Sequence, residues 1–247
     1  MTGLHLGRIV RDVIDFCVAP VCAACSAPAV GGFLCESCMG KLDQLADAPS
    51  CWRCAMPLAE RGAPCPYCRG AGVPRYDMIV ALGRFDEPLK DLIHQMKYQR
   101  QWPIAEHLAD RLARTDRAAR LLSSADRVVP VPLHRFRHIS RGYNQAEVIA
   151  RRLAGDRVIR PVVRTHNTPT QTQLHSTAKR FENLRGAFRL TRPKSVAGQR
   201  VVVVDDVMTS GATLQSLART LAAGKPRSLD AIVLAIADPK GRKFEAI

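Results

Sequence analysis

Residues 201–214 read VVVVDDVMTSGATL, and this stretch is the strongest indication of the fold. Four consecutive valines favour a strand that is buried on both faces, as the strands of parallel sheets are. Asp205 and Asp206 follow the valines directly. Because ligands of open parallel sheets bind beyond the carboxyl ends of the strands, we expect these aspartates at the edge of a binding site.

The turn after the aspartates, residues 209–213, is suited to a phosphate group. Backbone N–H groups at the N-terminus of the helix expected there lack partners and attract anions. Thr209, Ser210 and Thr213 add hydroxyl donors, and Gly211 allows close approach of the backbone. The preceding carboxylates would repel a phosphate unless they face sugar hydroxyls or Mg²⁺. The stretch therefore predicts a site for a 5-phosphorylated ribose.

The chain beyond residue 76 alternates between strand-like and helix-like patterns. The predicted strands cover 78–85, 127–132, 162–164, 201–204 and 229–236, and the predicted helices cover 87–99, 103–122, 144–154 and 211–223. Strands with continuous apolar runs, separated by helices, predict an α/β domain with a parallel sheet.

Eight of the nine cysteines form four C-x-x-C pairs: Cys22/Cys25, Cys35/Cys38, Cys51/Cys54 and Cys65/Cys68. Two such turns can complete the four-sulfur shell of one tetrahedral ion, so the spacing predicts zinc. The short gaps favour zinc ribbons that pair in sequence, but interleaved pairing or a single ion has the same spacings. A disulfide framework is not expected, because no secretory signal is recognised. Cys17 is expected to be a small buried residue and not a ligand.

Two domains and a cytoplasmic location are expected. Residues 1–72 are assigned to an amphipathic N-terminal helix and the zinc ribbons, and residues 76–247 to the α/β domain, across a Gly/Pro-rich connector over 69–75. The longest apolar run, AIVLAIA at 231–237, is far shorter than the roughly 20 residues of a membrane helix. No membrane span is therefore expected.

The positive charge is concentrated in one part of the chain. The formal net charge is +15, and residues 127–200 hold sixteen Lys and Arg against three acidic residues, whereas residues 1–74 are balanced. Such a local positive field predicts an anionic partner, either nucleic acid or a phosphorylated small molecule. The alternative is a solvated basic face.

VVVVDDVMTSGAT resembles the 13-residue signature of type I phosphoribosyltransferases, which bind phosphoribosyl pyrophosphate (PRPP). The cysteine pairs, HQMKYQR (94–100), VVPVPLHRFRHISRGYNQA (128–146) and TQLHSTAKRFENLRGAF (172–188) extend the resemblance. On these motifs the chain is identified as a member of the ComF family of competence-associated proteins. The resemblance implies a type I phosphoribosyltransferase fold behind a zinc-ribbon domain, Mg²⁺ as the companion of PRPP, and a role in the uptake of transforming DNA.

The resemblance also implies roles for individual residues in PRPP binding. Asp205 and Asp206 are expected to contact the ribose hydroxyls and the metal. The 5-phosphate is expected to lie against Thr209, Ser210, Gly211, Ala212 and Thr213.

The strand end at 129–133 matches the pyrophosphate loop of the family. Arg135, Arg137 and Arg141 lie just beyond it, and guanidinium groups suit diphosphate oxygens. Lys97 is expected to reach the same anion. Residues 170–186 match the mobile loop that closes over PRPP in this fold.

Two classes of function follow from these expectations. The first is an enzyme that displaces pyrophosphate from PRPP through an oxocarbenium-like state. Transferases that act on 6-oxopurines carry an aspartate at the position of Thr209, so purine salvage is not supported and the acceptor is unknown. The second is a non-catalytic protein that senses PRPP or binds single-stranded DNA.

The surplus of positive charge over the needs of one diphosphate motivates the DNA hypothesis. It predicts weak, sequence-independent binding to single-stranded DNA, together with the DNA-uptake machinery as a partner. The cations expected to contact DNA away from the PRPP site are Arg151, Arg152, Arg157 and Arg160.

Overall fold

The computed structural model of the chain describes residues 21–29, 33–134, 139, 141–165 and 186–237. The expected N-terminal helix, Cys17, Arg135, Arg137 and nearly all of the expected mobile loop lie outside the described residues. The helices and strands of the described part are, in chain order, α1 (Glu36–Asp47), β1 (Ile79–Arg84), α2 (Leu89–Tyr98), α3 (Trp102–Ala113), α4 (Asp116–Ser124), β2 (Arg127–Pro130), α5 (Gln145–Ala154), β3 (Val162–Arg164), β4 (Phe188–Leu190), β5 (Arg200–Met208), α6 (Ala212–Ala222) and β6 (Ser228–Ile236).

Four of these strands form a parallel sheet in the order β1–β6–β5–β2. The predicted parallel α/β fold is therefore confirmed. β3 and β4 pair with each other as a separate antiparallel sheet, so the strand expected at 162–164 exists but does not join the main sheet. None of the helices in the described ranges combines the length and the apolar character that crossing a membrane requires.

The main sheet separates two hydrophobic cores, because successive residues of a strand point to opposite faces. The first core contains Val202 and Ile232 from the sheet and is covered by α1 to α5. The second core contains Val201 and Ala231 from the sheet and is covered by α6 and the β3–β4 pair. The chain thus has helices on both faces of its sheet, as parallel sheets require.

The cysteine-rich segment contributes to both cores. Cys22, Cys38 and the helix α1, which the sequence patterns did not predict, belong to the first core, whereas Cys51 and Cys54 belong to the second. These contacts cross the connector at 69–75, and the domain boundary placed there stays a prediction.

Two predicted elements have different bounds in the structure. The single helix expected over 103–122 is wrong, because the Thr115 side chain accepts a hydrogen bond from the Ala118 N–H and starts the separate helix α4. The strand expected over 201–204 continues to Met208, because β6 pairs with it as far as Ile236. The two aspartates therefore lie inside the strand and not after it.

We expect Gly224→Ala to lower the free energy of unfolding by about 1–3 kcal/mol through overpacking. Gly224 follows α6, and a Cβ at this position would stand 2.4 Å from Val196 Cγ2 and 3.1 Å from the Pro193 carbonyl oxygen. Urea titration of the purified variant measures the change.

The matched control for this test is Gly40→Ala, in the exposed interior of α1. A Cβ on Gly40 would meet no atom within 4 Å. Since alanine favours helices over glycine by about 0.5–1 kcal/mol, the control should be as stable as the parent or more so. Equal stability of the Gly224→Ala variant and the parent would show that the contact with Val196 relaxes without cost.

Candidate functional site

A cavity of about 240 Å³ opens at the carboxyl ends of the parallel strands, where ligands of such sheets bind. Phe85 follows β1, Val131 follows β2, Ala237 follows β6, and Asp205 and Asp206 come from β5. Helix α2 and the beginning of α5 close its sides. The cavity also contains all four residues predicted to be catalytic, which are Asp205, Asp206, Lys97 and Arg141.

The two aspartates lie on opposite faces of the sheet, because they are consecutive residues of β5. Asp206 points to the side of α2, where its Oδ1 is 2.9 Å from Lys97 Nζ. Asp205 lies on the side of the second core, close enough to Tyr76 to raise the pKa of that phenol. Both carboxylates nevertheless reach the same cavity at the strand end.

Burial raises the pKa of Asp205 to about 7, and the negative charge of Asp206 adds to the shift. Lys97 and Arg164 oppose this increase, as does the hydrogen bond that the Asp206 N–H donates to Asp205 Oδ1 at 2.9 Å. Asp205 is therefore partly protonated at neutral pH. A cation or a hydroxyl donor placed in the cavity would favour its ionised form.

Lys97 forms an ion pair with Asp206 in which both side chains are largely buried, with exposures of 17% and 14%. Sequence reasoning expected Lys97 to face a diphosphate, whereas here it neutralises an acidic residue. Its ammonium group lines the cavity and has a flexible stem, so it can serve either partner.

The turn expected to bind phosphate leads into α6, and Gly211 is the N-cap of that helix. Its φ of +74° is a conformation that glycine adopts readily. No side chain caps the helix, and Ser210 Oγ is buried without a hydrogen-bond partner in the described part of the chain. Thr209 and Thr213 line the cavity, whereas Ser210, Gly211 and Ala212 are not among its lining residues. Unsatisfied donors of this kind suit an anion.

Arg141 lines the cavity together with residues 131–133. It donates a hydrogen bond from Nη1 to Gln145 Oε1 at 3.2 Å, and its guanidinium carbon is 5.8 Å from the centre of the Tyr98 ring. These contacts hold the cation at the surface of the cavity.

Sequence reasoning missed several side chains that line the cavity. His94 and Tyr98 come from the same face of α2 as Lys97, and Phe85 packs near His94 with ring centres 6.0 Å apart. The spacing of three and four residues along α2 was a signal that could have identified His94 and Tyr98. Arg164 also lines the cavity, but it comes from β3, and no local pattern places that strand at the cavity.

The eight paired cysteines form two groups, each with its sulfur atoms within 4.8 Å of one another. The first cysteine group is Cys22, Cys25, Cys35 and Cys38, and the second is Cys51, Cys54, Cys65 and Cys68. All eight thiols are free, and the groups pair in sequence and are not interleaved. Sulfur atoms bound to one zinc ion at about 2.3 Å stand about 3.8 Å apart in a tetrahedron. The distances of 3.7, 3.7 and 3.6 Å between Cys25 and Cys35, Cys51 and Cys68, and Cys54 and Cys65 fit that geometry.

The second cysteine group has additional polar support. Arg117 donates hydrogen bonds to the carbonyl oxygens of Trp52 at 2.6 Å and of Ile79 at 3.2 Å, so it ties the first turn of the group to β1. Backbone N–H groups of Gly70 and Gly72 bond to the Cys68 sulfur. Hydrogen bonds and a cation around a four-thiolate site stabilise its negative charge.

The four arginines expected to contact DNA have partners within the protein. Arg151 and Arg160 both pair with Glu147, and Arg152 pairs with Asp110 through two hydrogen bonds. Arg157 donates to backbone carbonyl groups of 122 and 125. Because the side chains of Arg151, Arg152 and Arg160 are 66%, 49% and 48% exposed, their contact with DNA stays a prediction.

Residues 103–246 match the family described as phosphoribosyl transferase domain. The chain is 34% identical to the protein named competence protein F of Haemophilus influenzae, over 74% of this chain and 83% of that protein. It is 36% identical to the protein named DNA utilization protein YhgH of Escherichia coli K12, over 71% of this chain and 78% of that protein.

A third relative matches a smaller share of the chain. The protein named competence protein ComFC of Bacillus subtilis is 34% identical over 43% of each chain. Together with the parallel sheet and the two cysteine groups, these matches establish the family membership that the motifs suggested. The chain belongs to the ComF family and carries a phosphoribosyltransferase domain.

Proposed function

We propose that the protein binds PRPP with Mg²⁺ in the cavity and transfers its phosphoribosyl group to an acceptor, with release of pyrophosphate. The observation that carries the proposal is that two carboxylates of β5 and the turn into α6 meet in one cavity. A ribose beside the carboxylates, with its 5-phosphate at the helix N-terminus, uses both features. The match of residues 103–246 to a phosphoribosyltransferase domain supports the assignment.

The N-terminus of α6 is the proposed site of the 5-phosphate. Its first N–H groups have no side-chain cap, and Ser210 Oγ is buried without a partner in the described residues. Phosphate oxygens would satisfy these donors and interact favourably with the helix dipole. Thr209 and Thr213 would add contacts from the cavity surface.

Arg141 and Lys97 are the proposed ligands of the diphosphate. A guanidinium group binds two phosphate oxygens at once, and residues 131–133 border the cavity beside Arg141. When Lys97 turns from Asp206 to the diphosphate, it frees that carboxylate for the ribose or the metal. The carboxylates are oxygen ligands that Mg²⁺ prefers, and bound Mg²⁺ would neutralise charge on the diphosphate.

The transfer itself breaks the bond between the anomeric carbon and the diphosphate oxygen, and the electron pair leaves with pyrophosphate. A lone pair of the acceptor forms the new bond. The positively charged side chains stabilise the negative charge that develops on the leaving group. The alternative is a PRPP sensor that binds without turnover, and a pyrophosphate-release assay with a panel of acceptors separates the two.

We further propose that both cysteine groups bind structural zinc. The sulfur distances fit one tetrahedral ion in each group, and four thiolates without an open position are typical of structural sites. Zinc ligation by free thiols also supports a reducing compartment, and we propose the cytoplasm.

We also propose a role linked to DNA uptake, with single-stranded DNA and the uptake machinery as partners. The names of the relatives, competence protein F and DNA utilization protein, support this role. Further exposed cations that are candidate phosphate contacts include Arg189 and Lys194. Because few aromatic side chains accompany them, binding should depend on the DNA backbone.

Asp205→Asn should weaken PRPP binding in the presence of Mg²⁺ by about 10- to 100-fold at pH 8, because a charged hydrogen-bond acceptor contributes roughly 1.5–3 kcal/mol. Isothermal titration calorimetry measures the loss. Asp230→Asn is the matched control, since Asp230 is a partly buried carboxyl group near the opposite end of β6 whose pKa burial raises to about 6. PRPP affinity equal to that of the parent in the Asp205→Asn variant would contradict the site.

The same variant gives a stability test with a defined sign. The pKa of Asp205 is about 7 in the folded protein and near 3.8 ordinarily, so the folded state holds this proton more tightly. Stability contributed by this group is present at low pH and lost as pH rises from about 4 to 7. Asparagine does not ionise, so the Tm of the variant minus that of the parent should be higher at pH 8 than at pH 5. An unchanged difference would show that folding does not raise the pKa of Asp205.

Metal analysis should find two zinc ions per chain. Cys38→Ser and Cys54→Ser should each remove one ion, and Cys54→Ser should also lower the Tm of the whole chain, because Cys54 belongs to the core that holds α6. Cys17→Ser, which changes the one cysteine outside the C-x-x-C pairs, is the control and should keep both ions. Two ions in either ligand variant would contradict the assignment.

Single-stranded DNA binding should show a log–log salt slope of roughly −3, as expected for about four phosphate contacts. Changing both Arg189 and Lys194 to Glu should reduce the slope by about 1.4 units and leave PRPP affinity unchanged. Fluorescence anisotropy measures the slope. If no DNA binds even at about 20 mM salt, the basic segment is a solvated face.

A further inference from the structure

A buried hydrogen bond joins the chain just after the second cysteine group to the helix that begins at the phosphate turn. Tyr76 is 4% exposed, and its hydroxyl donates to the Leu214 carbonyl oxygen at 2.9 Å. Leu214 lies in the first turn of α6. Burial raises the pKa of Tyr76, with Asp205 adding to the shift, so the hydroxyl stays protonated and donates throughout the physiological pH range. The bond therefore fixes the position of the turn that the proposed 5-phosphate contacts.

Val73, in the same stretch, packs against the core that contains Ala212 and Leu214 of α6. Val73 Cγ1 is 3.8 Å from the place where a Cβ on Gly211 would stand. The Tyr76 N–H donates to the Val73 carbonyl oxygen at 3.0 Å, so the two residues belong to one closed turn. Residues 73–76 thus hold the beginning of α6 at two points.

The other end of this turn is held by the second cysteine group. The Gly72 N–H bonds to the Cys68 sulfur, and the Ala71 N–H bonds to the Cys68 carbonyl oxygen at 2.8 Å. Arg53 lies between Cys51 and Cys54. Its backbone carbonyl oxygen accepts a hydrogen bond from the Ile79 N–H at 2.9 Å. Both C-x-x-C turns of the group therefore fix the backbone on either side of residues 73–76.

We propose that Tyr76 is a positioning residue that couples metal binding at the second cysteine group to PRPP binding at the turn into α6. This inference rests on the proposed function. Metal binding fixes the conformation of the two C-x-x-C turns. Residues 73–76, which are held by these turns, then fix the position of the phosphate turn. The coupling is reciprocal, so PRPP must tighten metal binding by the same factor by which the metal tightens PRPP binding.

The first cysteine group provides an internal comparison. Its buried cysteines belong to the first core, on the opposite face of the sheet from α6. Metal held there should therefore not respond to PRPP through Tyr76. One of the two ions is expected to be coupled and the other not.

The test measures release of zinc from the full-length protein to a chromophoric chelator, with and without saturating PRPP and Mg²⁺. In the parent, PRPP should slow or weaken the loss of one ion by about fivefold or more, which is the range of allosteric coupling. Tyr76→Phe keeps the ring in the core and removes only the hydroxyl. It should lose most of this protection and bind PRPP several-fold more weakly, while still holding two ions.

Thr191→Val is the matched control for the loss of a hydroxyl group. Thr191 Oγ1 donates to the Pro161 carbonyl oxygen at 2.9 Å, and neither residue lines the cavity. The control should keep both the PRPP affinity and the protection of zinc. This separates a positioning role of Tyr76 from a general loss of stability.

The outcomes distinguish the two levels of the proposal. If the parent does not bind PRPP, the proposed function is wrong, and the proposed coupling is wrong as well. If the parent binds PRPP but the ligand protects neither ion, or protects zinc equally in the Tyr76→Phe variant, the inference alone is overturned.

Discussion

The parallel pairing of β5 with β6 is the constraint on which the site depends. The two strands remain in register from Arg200 to Met208, so the backbone is extended through both aspartates. The alternation of side chains then sends Asp205 towards the second core and Asp206 towards α2. If β5 ended at Val204, its pairing with β6 would not fix the directions of the two aspartate side chains. Since β5 ends at Met208 and α6 begins at Ala212, the N-terminus of α6 lies at the same end of the sheet as the carboxylates.

The two cysteine groups pack on opposite faces of the main sheet. The second group holds residues 73–76 and, through them, the start of α6. The first group packs in the core that contains α2, and Gln95 of α2 donates a hydrogen bond to the Ala23 carbonyl oxygen within that group. The cysteine-rich segment therefore packs on both faces of the sheet, and its second group supports the start of α6.

Local sequence patterns predicted most of the fold and the central part of the site. The valine run, the aspartate pair and the glycine-containing turn form a short continuous stretch, so spacing alone identified them. The antiparallel β3–β4 pair, the packing of α1 and the position of Arg164 depend on contacts between distant parts of the chain, which periodicity does not report. The ion pair between Lys97 and Asp206 was missed for the same reason, although each residue was identified separately. Charge counts likewise located the basic segment but could not show that Glu147 and Asp110 pair with three of its arginines.

The bond between Tyr76 and Leu214 joins residues 138 positions apart, which matters for how the chain is made. On the ribosome, the cysteine-rich segment emerges well before β5, β6 and α6, the elements on which it finally packs. Apolar residues such as Leu42 and Met56 have only local partners at that stage, and metal binding by the cysteines is a local source of order available to them. The nascent segment can thus become ordered first and serve as a template on which the later strands of the sheet assemble.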